Sequence, residues 1–465
     1  MQIYQFMLSI ILLVTLALLV IEKGDKIIVS LTGAGLALLL AIIPVWPNFF
    51  IENQNVLIQD VGDLLTLIEP DLMFIIIGMT LLVGVCAETG IFEWVALKIL
   101  KLSNGNLNRL LLYLCFLTLM FSAFLDAYMA ILIIGTITLV SSDGLYREDG
   151  EPINPRPFLL AEALFGNIGG MLTRVASPPN LILGTHFNIA FLDFTIAMFP
   201  IVLTSAVFSF YILKIVFKND LNVKISESSI IKLLQLDENQ VIRDKKLFYR
   251  AALIIFITIF GFFASSYFSD LGITIHLGYI ALAGAFIAVA LVSGEKAEHA
   301  IKNIEWSIII FYCGLLTIVG IVERAQILQV VVAPIESIFE INLFLGLLSI
   351  LYINTFFSSF LDNIPMAAIM KEIIEELRQK LSLSGNSYYP LVWAAVIGTN
   401  SGGNITPIAS ASGVQAVEML NREKDPSRHV SFLDFMKIGF LIGMISITFG
   451  TIYLIFLASY VYFWI

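Results

Sequence analysis

Charged side chains are scarce in this chain: Asp, Glu, Lys and Arg make up 13% of its 465 residues, against 58% hydrophobic ones. A soluble domain carries about 25% charge, so a water-exposed globule is excluded and most of the chain belongs in lipid. Cysteine is nearly absent. Cys86, Cys115 and Cys313 each fall inside an apolar stretch, at spacings that fit neither a disulfide framework nor a zinc site, and read as small buried hydrophobes. The four histidines, His186, His276, His299 and His429, stand near expected element ends without metal-ligand spacing. No Gly-x-x-x-x-Gly-Lys-Ser/Thr motif occurs, so pumping by this chain would need an ion gradient or a partner. No nucleic-acid partner and no cofactor is expected. The net charge of -10 comes mostly from loop acids and says little about a substrate.

What is present is a series of apolar stretches, 7–20, 27–44, 72–86, 251–268, 273–292 and 440–465 among them, several long enough to cross a bilayer. The first lacks a basic n-region, and 21–26 offer no small-residue cleavage site, so it is expected to be a retained span. Lys and Arg then orient the chain, because they concentrate in cytoplasmic loops. Lys23 and Lys26, Lys98, Lys101 and Arg109, Arg147 and Arg156, a run from Lys214 to Arg250, Lys296 and Lys302, and Arg422 to Lys437 are expected inside. Residues 47–70, 189–194 and 269–272 carry none and read as outside.

Arg109 and Arg147 can both be inside only if 110–140 enters the membrane and turns back, with its tip near 122–127. The same reasoning makes 342–370 a hairpin entering from outside, which leaves Lys371, Arg378 and Lys380 outside against the rule. Each half, 1–217 and 250–465, then holds five spans and one hairpin, and an odd number of spans gives the halves opposite orientation. Residues 218–249 form the polar cytoplasmic link. The expected fold is an all-α polytopic membrane protein, an inverted repeat with two re-entrant helical hairpins and two broken transmembrane helices, in the inner (plasma) membrane.

Two signatures occur once per half, in the same order. Ser122-Ala-Phe-Leu-Asp126-Ala matches Ser358-Ser-Phe-Leu-Asp362-Asn. Asn167-Ile-Gly169-Gly170-Met-Leu-Thr173-Arg174-Val-Ala-Ser177 matches Asn400-Ser-Gly402-Gly403-Asn-Ile-Thr406-Pro-Ile-Ala-Ser410. The paired glycines Gly169, Gly170, Gly402 and Gly403 let a span unwind, and Pro178, Pro179 and Pro407 stop it from continuing. Unwound backbone at membrane depth must line a cavity, since lipid cannot satisfy its amides; the blander reading of the glycines is close helix packing. Asp126 and Asp362 are carboxylates within apolar segments, costly unless used, as protonation sites, cation ligands or structural partners that hold the hairpin tips. Arg174 stands where the second repeat has Pro407, so the site is chemically asymmetric. It suits either an anion anchor or an ion pair with Asp126. Two membrane aspartates also raise an intramembrane protease, but the Gly-x-Gly-Asp context is missing, and no enzymatic activity is expected. A channel would use the same carbonyls, but broken helices with hairpins in inverted halves fit alternating access better.

These motifs resemble those of the ion transporter superfamily, in the branch of citrate-transporter-like proteins, arsenite permeases, P-protein permeases and D-type sodium/proton antiporters. The likeness runs through 72–94, 121–134, 154–184 with its Ser177-Pro178-Pro179-Asn180, Asp244 to Leu247, 357–368 with Leu361-Asp362-Asn363-Ile364-Pro365, and 398–419. It implies an elevator-like secondary transporter, a homodimer in lipid, with a small ion as substrate. It also implies ion or substrate roles for Ser122, Asp126, Asn167, Thr173, Ser177, Asn180, Ser358, Asp362, Asn363, Asn400, Thr406 and Ser410. The chain departs from the P-protein pattern at Asp126-Ala127 and Ala176-Ser177-Pro178, where one half of the polar set is reduced. The expected function is secondary transport of a small anion coupled to Na+ or H+, with sodium/proton antiport and arsenite-type efflux as alternatives.

Overall fold

The apolar stretches become helices, as a chain in lipid must satisfy its own amides; the computed structural model describes residues 3–20, 25–42, 58, 61–235, 237–273, 275–293, 297–302, 304 and 306–462. Lys23, residues 47–57, Lys296 and residues 463–465, which entered the expected topology, lie outside the described residues.

The first half runs through α1 (Ile3–Val20), α2 (Lys26–Ile42), α3 (Val61–Ile68), α4 (Pro70–Ala87) and α5 (Ile91–Leu102). A hairpin of α6 (Leu107–Leu125) and α7 (Ala127–Gly144) follows, then α8 (Arg156–Gly170), α9 (Pro178–His186) and α10 (Phe191–Val216). The link holds α11 (Lys218–Leu221) and α12 (Glu227–Gln235). The second half has α13 (Lys245–Asp270), α14 (Leu277–Ala288), α15 (Ala297–Lys302), α16 (Trp306–Arg324) and α17 (Gln329–Ile341). Its hairpin is α18 (Leu343–Ser358) and α19 (Asn363–Lys380), followed by α20 (Tyr389–Gly402), α21 (Ala411–Asn421) and α22 (Phe432–Tyr462). Among the described residues seven helices are long and apolar enough to cross a membrane, with four shorter apolar ones beside them. The protein is a multi-pass membrane protein with two helical hairpins and two broken helices, α8–α9 and α20–α21, arranged as an inverted repeat.

The repeat extends to how helices start. Asn106 caps α6, accepting from Arg109 N–H at 3.0 Å, and Asn342 caps α18, accepting from Phe344 N–H at 2.8 Å. Short polar side chains are favoured there because they take up a first-turn amide. Helices α5 and α17, which precede the hairpins, are elements that the apolar-run reading passed over. Both are too short to span and bury one stripe, Phe92, Ala96 and Leu100 in α5 and Val332, Ile335 and Phe339 in α17.

The helices sort into two bodies. One core is built mainly from α1, α2, α4, α13, α14 and α16, with α2 packed on α16 and α4 on α14. The hairpins, the broken helices, α10 and α22 surround two further cores. There the halves interlock, for α21 packs on α7 and α8, while α9 packs on α19 and α20. The link is docked on α5: Lys101 Nζ meets Glu238 Oε2 at 2.5 Å, which holds that carboxyl below its ordinary value. Gly90, at φ 83°, lies so close to the link that a Cβ would stand 2.1 Å from Val241 O.

The three cations left outside against the positive-inside rule each have an acidic partner. Lys371, buried, sits 2.8 Å from both Glu69 and Glu372; Arg378 is 3.2 Å from Glu375 and Lys380 is 3.1 Å from Glu336. Countered by at least as many carboxylates, these cations add no net positive charge at that end of the hairpin body.

Close packing explains half of the glycine pattern. A Cβ on Gly169 would lie 2.4 Å from Leu119 O, and one on Gly402 2.7 Å from Thr355 O, so α8 approaches α6 as α20 approaches α18. Gly169→Ala is therefore expected to cost about 1–3 kcal/mol, read as lost monodisperse protein in fluorescence-detected size-exclusion chromatography. Gly35→Ala, whose Cβ would meet nothing within 4 Å, serves as the neutral control.

Candidate functional site

Four helices begin at one cavity, each with a short polar residue at its N-cap. Asp126 caps α7, with Oδ1 accepting from Tyr128 N–H at 2.7 Å, and Asp362 caps α19, with Oδ1 accepting from Ile364 N–H at 3.3 Å. The aspartates thus hold the hairpin tips and also face the cavity. Their backbones differ. Asp126 has φ 83° and ψ 146°, a region that non-glycine residues occupy at a cost of about 1–3 kcal/mol, whereas Asp362 is relaxed at φ −54° and ψ 144°. Ser177 stands at the N-cap of α9 with its Oγ lacking a hydrogen-bond partner, and Ser410 caps α21, accepting from Gly413 N–H at 3.3 Å.

The cavity measures about 120 Å³. Of the expected site residues Asp126, Asn167, Gly170, Ser177, Asp362, Asn363, Asn400 and Ser410 line it. From the other body Ile75, Ile76, Met79 and Ile308 form an apolar wall. The lining includes no lysine, arginine or histidine among the described residues. Nor do the described residues contain a cluster of three or more His, Cys, Asp or Glu able to hold a metal ion.

Behind the cavity the two broken helices are knotted together by amides. Asn167 Nδ2 lies 3.0 Å from Gly403 O, 3.0 Å from Asn404 Oδ1 and 2.9 Å from Ser410 Oγ, while its Oδ1 accepts from Ser412 Oγ at 2.9 Å. Asn400 donates to Asn180 Oδ1 at 3.1 Å, and Asn180 donates to Gly170 O and Thr173 O, carbonyls at the break between α8 and α9. Asn363 fits with its amide nitrogen toward Ser358 Oγ, Thr399 O and Ala409 O.

Several expected site residues do not reach the cavity. Ser122 Oγ donates to Gly166 O at 2.5 Å and Ser358 Oγ to Thr399 O at 2.9 Å; Thr173 Oγ1 donates to Ala123 O at 2.6 Å and Thr406 Oγ1 to Ser359 O at 2.5 Å. These four hydroxyls bond each hairpin tip to its broken helix by the same pattern in both halves, and Asn180, Gly169, Gly402 and Gly403 also stand behind the lining.

Arg174 requires a correction. It forms no ion pair with Asp126 and does not line the cavity. Nη1 donates to Ile189 O and Nη2 to Thr185 Oγ1, both at 2.9 Å, and its stem packs on Gly184. The guanidinium ties the break to the chain leaving α9. Arg174→Gln is accordingly expected to lower stability by about 1–3 kcal/mol in thermal unfolding while leaving the order of competing substrates unchanged.

Three contributors were missed. Asn404 and Ser412 close the Asn167 network, and Asn404 was visible as a polar residue where the other half has Met171. Lys26, from α2, lies 3.3 Å from Asp362 Oδ2; only the tertiary fold brings them together.

Comparisons with known proteins agree along nearly the whole chain. The family model described as citrate transporter matches residues 16–398. A 46 kDa membrane protein of Mycobacterium leprae is 28% identical over 445 residues, 95% of this chain and 96% of that protein. An uncharacterized transporter of Mycobacterium tuberculosis is 27% identical over 433 residues, 93% and 94% of the two chains. The P protein of Mus musculus is 25% identical over 83% of this chain and 54% of its own length. The solved YdaH transporter of Alcanivorax borkumensis shares the fold with a TM-score of 0.55 at 12% identity, over 95% of this chain and 99% of that one.

Proposed function

This chain belongs to the citrate transporter family, and on that premise we propose that it is a secondary active transporter that carries a small carboxylate or oxyanion together with Na+ or H+. The observation that carries this reading is the convergence of the N-termini of α7, α9, α19 and α21 on one cavity. The first turn of a helix leaves backbone N–H groups without intrahelical partners, and its dipole favours negative charge. Four such ends aimed at one small space suit an anion chiefly through their dipoles, since Pro178 and Pro179 open α9 without N–H groups and the caps of α7 and α19 already take the amides of Tyr128 and Ile364.

Coupling follows from Asp126 and Asp362. An anion entering between two carboxylates is repelled unless cations or protons arrive with it, so the carboxylates make cation binding a condition of anion binding. The cavity lies at the seam between the two bodies, and its apolar wall of Ile75, Ile76, Met79 and Ile308 offers a face along which the hairpin body can slide. An elevator-like movement, a homodimer and a place in the inner (plasma) membrane belong to the same reading.

Sodium/proton antiport is the second reading, favoured by two cavity carboxylates and a lining without cationic side chains. Proteoliposomes under an imposed Na+ or pH gradient decide between them, with labelled citrate, succinate, phosphate and arsenite as probes. Gradient-driven uptake of an anion is the expected result. Proton movement driven by Na+ in the absence of every anion would replace it with antiport.

A further inference from the structure

The two tip carboxylates are counterparts in the repeat, yet among the described residues only one meets a lysine. Asp362 Oδ1 is engaged by the Ile364 N–H, and Oδ2 accepts from Lys26 Nζ at 3.3 Å. Asp126 Oδ1 is engaged likewise by Tyr128 N–H, but no lysine or arginine among the described residues pairs with it. Lys26 sits at the first position of α2, in the body opposite the hairpins, so its contact with Asp362 crosses the seam. The pair is partly open to water, with the Lys26 side chain 42% and the Asp362 side chain 19% exposed, so the ammonium can leave without stranding a buried charge.

We propose that Lys26 is a tethered competitor of Na+ at Asp362. This rests on the reading that Asp362 binds a coupling cation. An ammonium on Oδ2 occupies the carboxylate oxygen that the cap leaves open, and Na+ cannot coordinate the same oxygen beside it. The tether gives the ammonium a high effective concentration there, so a weak contact competes. Because Lys26 is fixed to the other body, the competition holds in the position seen here and ends when the hairpin body shifts along the seam. Asp362 then takes Na+ in one position and is induced to release it in the other. Asp126, without such a competitor among the described residues, keeps its cation by its own affinity alone.

Equilibrium binding of radioactive sodium to the purified full-length protein tests this. Lys26→Gln is expected to bind Na+ about fivefold more tightly than wild type, Lys26→Arg to behave as wild type, and the gain to vanish when Asp362→Asn is added. Lys26→Met, which keeps the aliphatic stem, replaces the glutamine variant if that one does not fold. Unchanged Na+ affinity on removing the ammonium, a gain that survives Asp362→Asn, or no saturable Na+ binding in any variant overturns the proposal. Anion uptake by wild type that ignores both cation gradients would remove the underlying reading instead, whereas coupled uptake with unchanged Na+ affinity in Lys26→Gln removes this inference alone.

Discussion

Asp126→Asn is expected to abolish cation-driven anion uptake while leaving the protein folded. The side chain has two duties that the substitution separates. Oδ1 caps α7 through Tyr128 N–H, and Asn accepts that bond as well as Asp does. Asn has nearly the same shape as Asp, so the strained backbone at φ 83° and ψ 146° meets no new clash. Only the charge is removed, and with it the group that a coupling cation or proton would occupy. Asp126→Ala should lose transport too, but with a further loss of about 1 kcal/mol of stability from the missing cap. Flux and thermal unfolding measured on the same preparations separate the two; full coupling in the asparagine variant would leave Asp126 with its capping role only.

Asn167→Ala should be the most damaging neutral substitution in the site. Its amide faces Gly403 O, Asn404 Oδ1 and Ser410 Oγ and accepts from Ser412 Oγ, all of them buried. Each buried polar group left without a partner costs about 1–3 kcal/mol, and this one residue of the first half holds the break of the second. A steep fall in thermal stability and loss of uptake are expected together. Thr136→Ala, which removes a hydroxyl bonded to Leu132 O on the exposed face of α7, should change neither. An alanine variant at 167 with wild-type stability would show that the two broken helices hold their shapes independently.

The hairpins, the breaks and the repeat were legible because each violates what a lipid-spanning helix prefers: carboxylates in apolar runs, paired glycines, prolines after them. The bearing of each side chain was not. Ser122, Thr173, Ser358 and Thr406 carry the polarity of ligands, but their hydroxyls are spent on backbone carbonyls between hairpin and broken helix. Arg174 read as an anion anchor or a partner of Asp126, since a guanidinium in a membrane segment demands acceptors; a hydroxyl in the last turn of α9 and a carbonyl just beyond it supply them instead. The interlocking of α9 with the second half and α21 with the first depends on tertiary contacts that no local pattern encodes.

The most direct test of the site is thiol protection at Ala411, which lines the cavity at the start of α21 and is exposed. In Ala411→Cys, a negatively charged thiol reagent is expected to block uptake, and the transported anion with its coupling cation to slow that block. Modification that leaves uptake intact, or that proceeds at one rate with and without every anion tested, would contradict an anion site at the four helix ends.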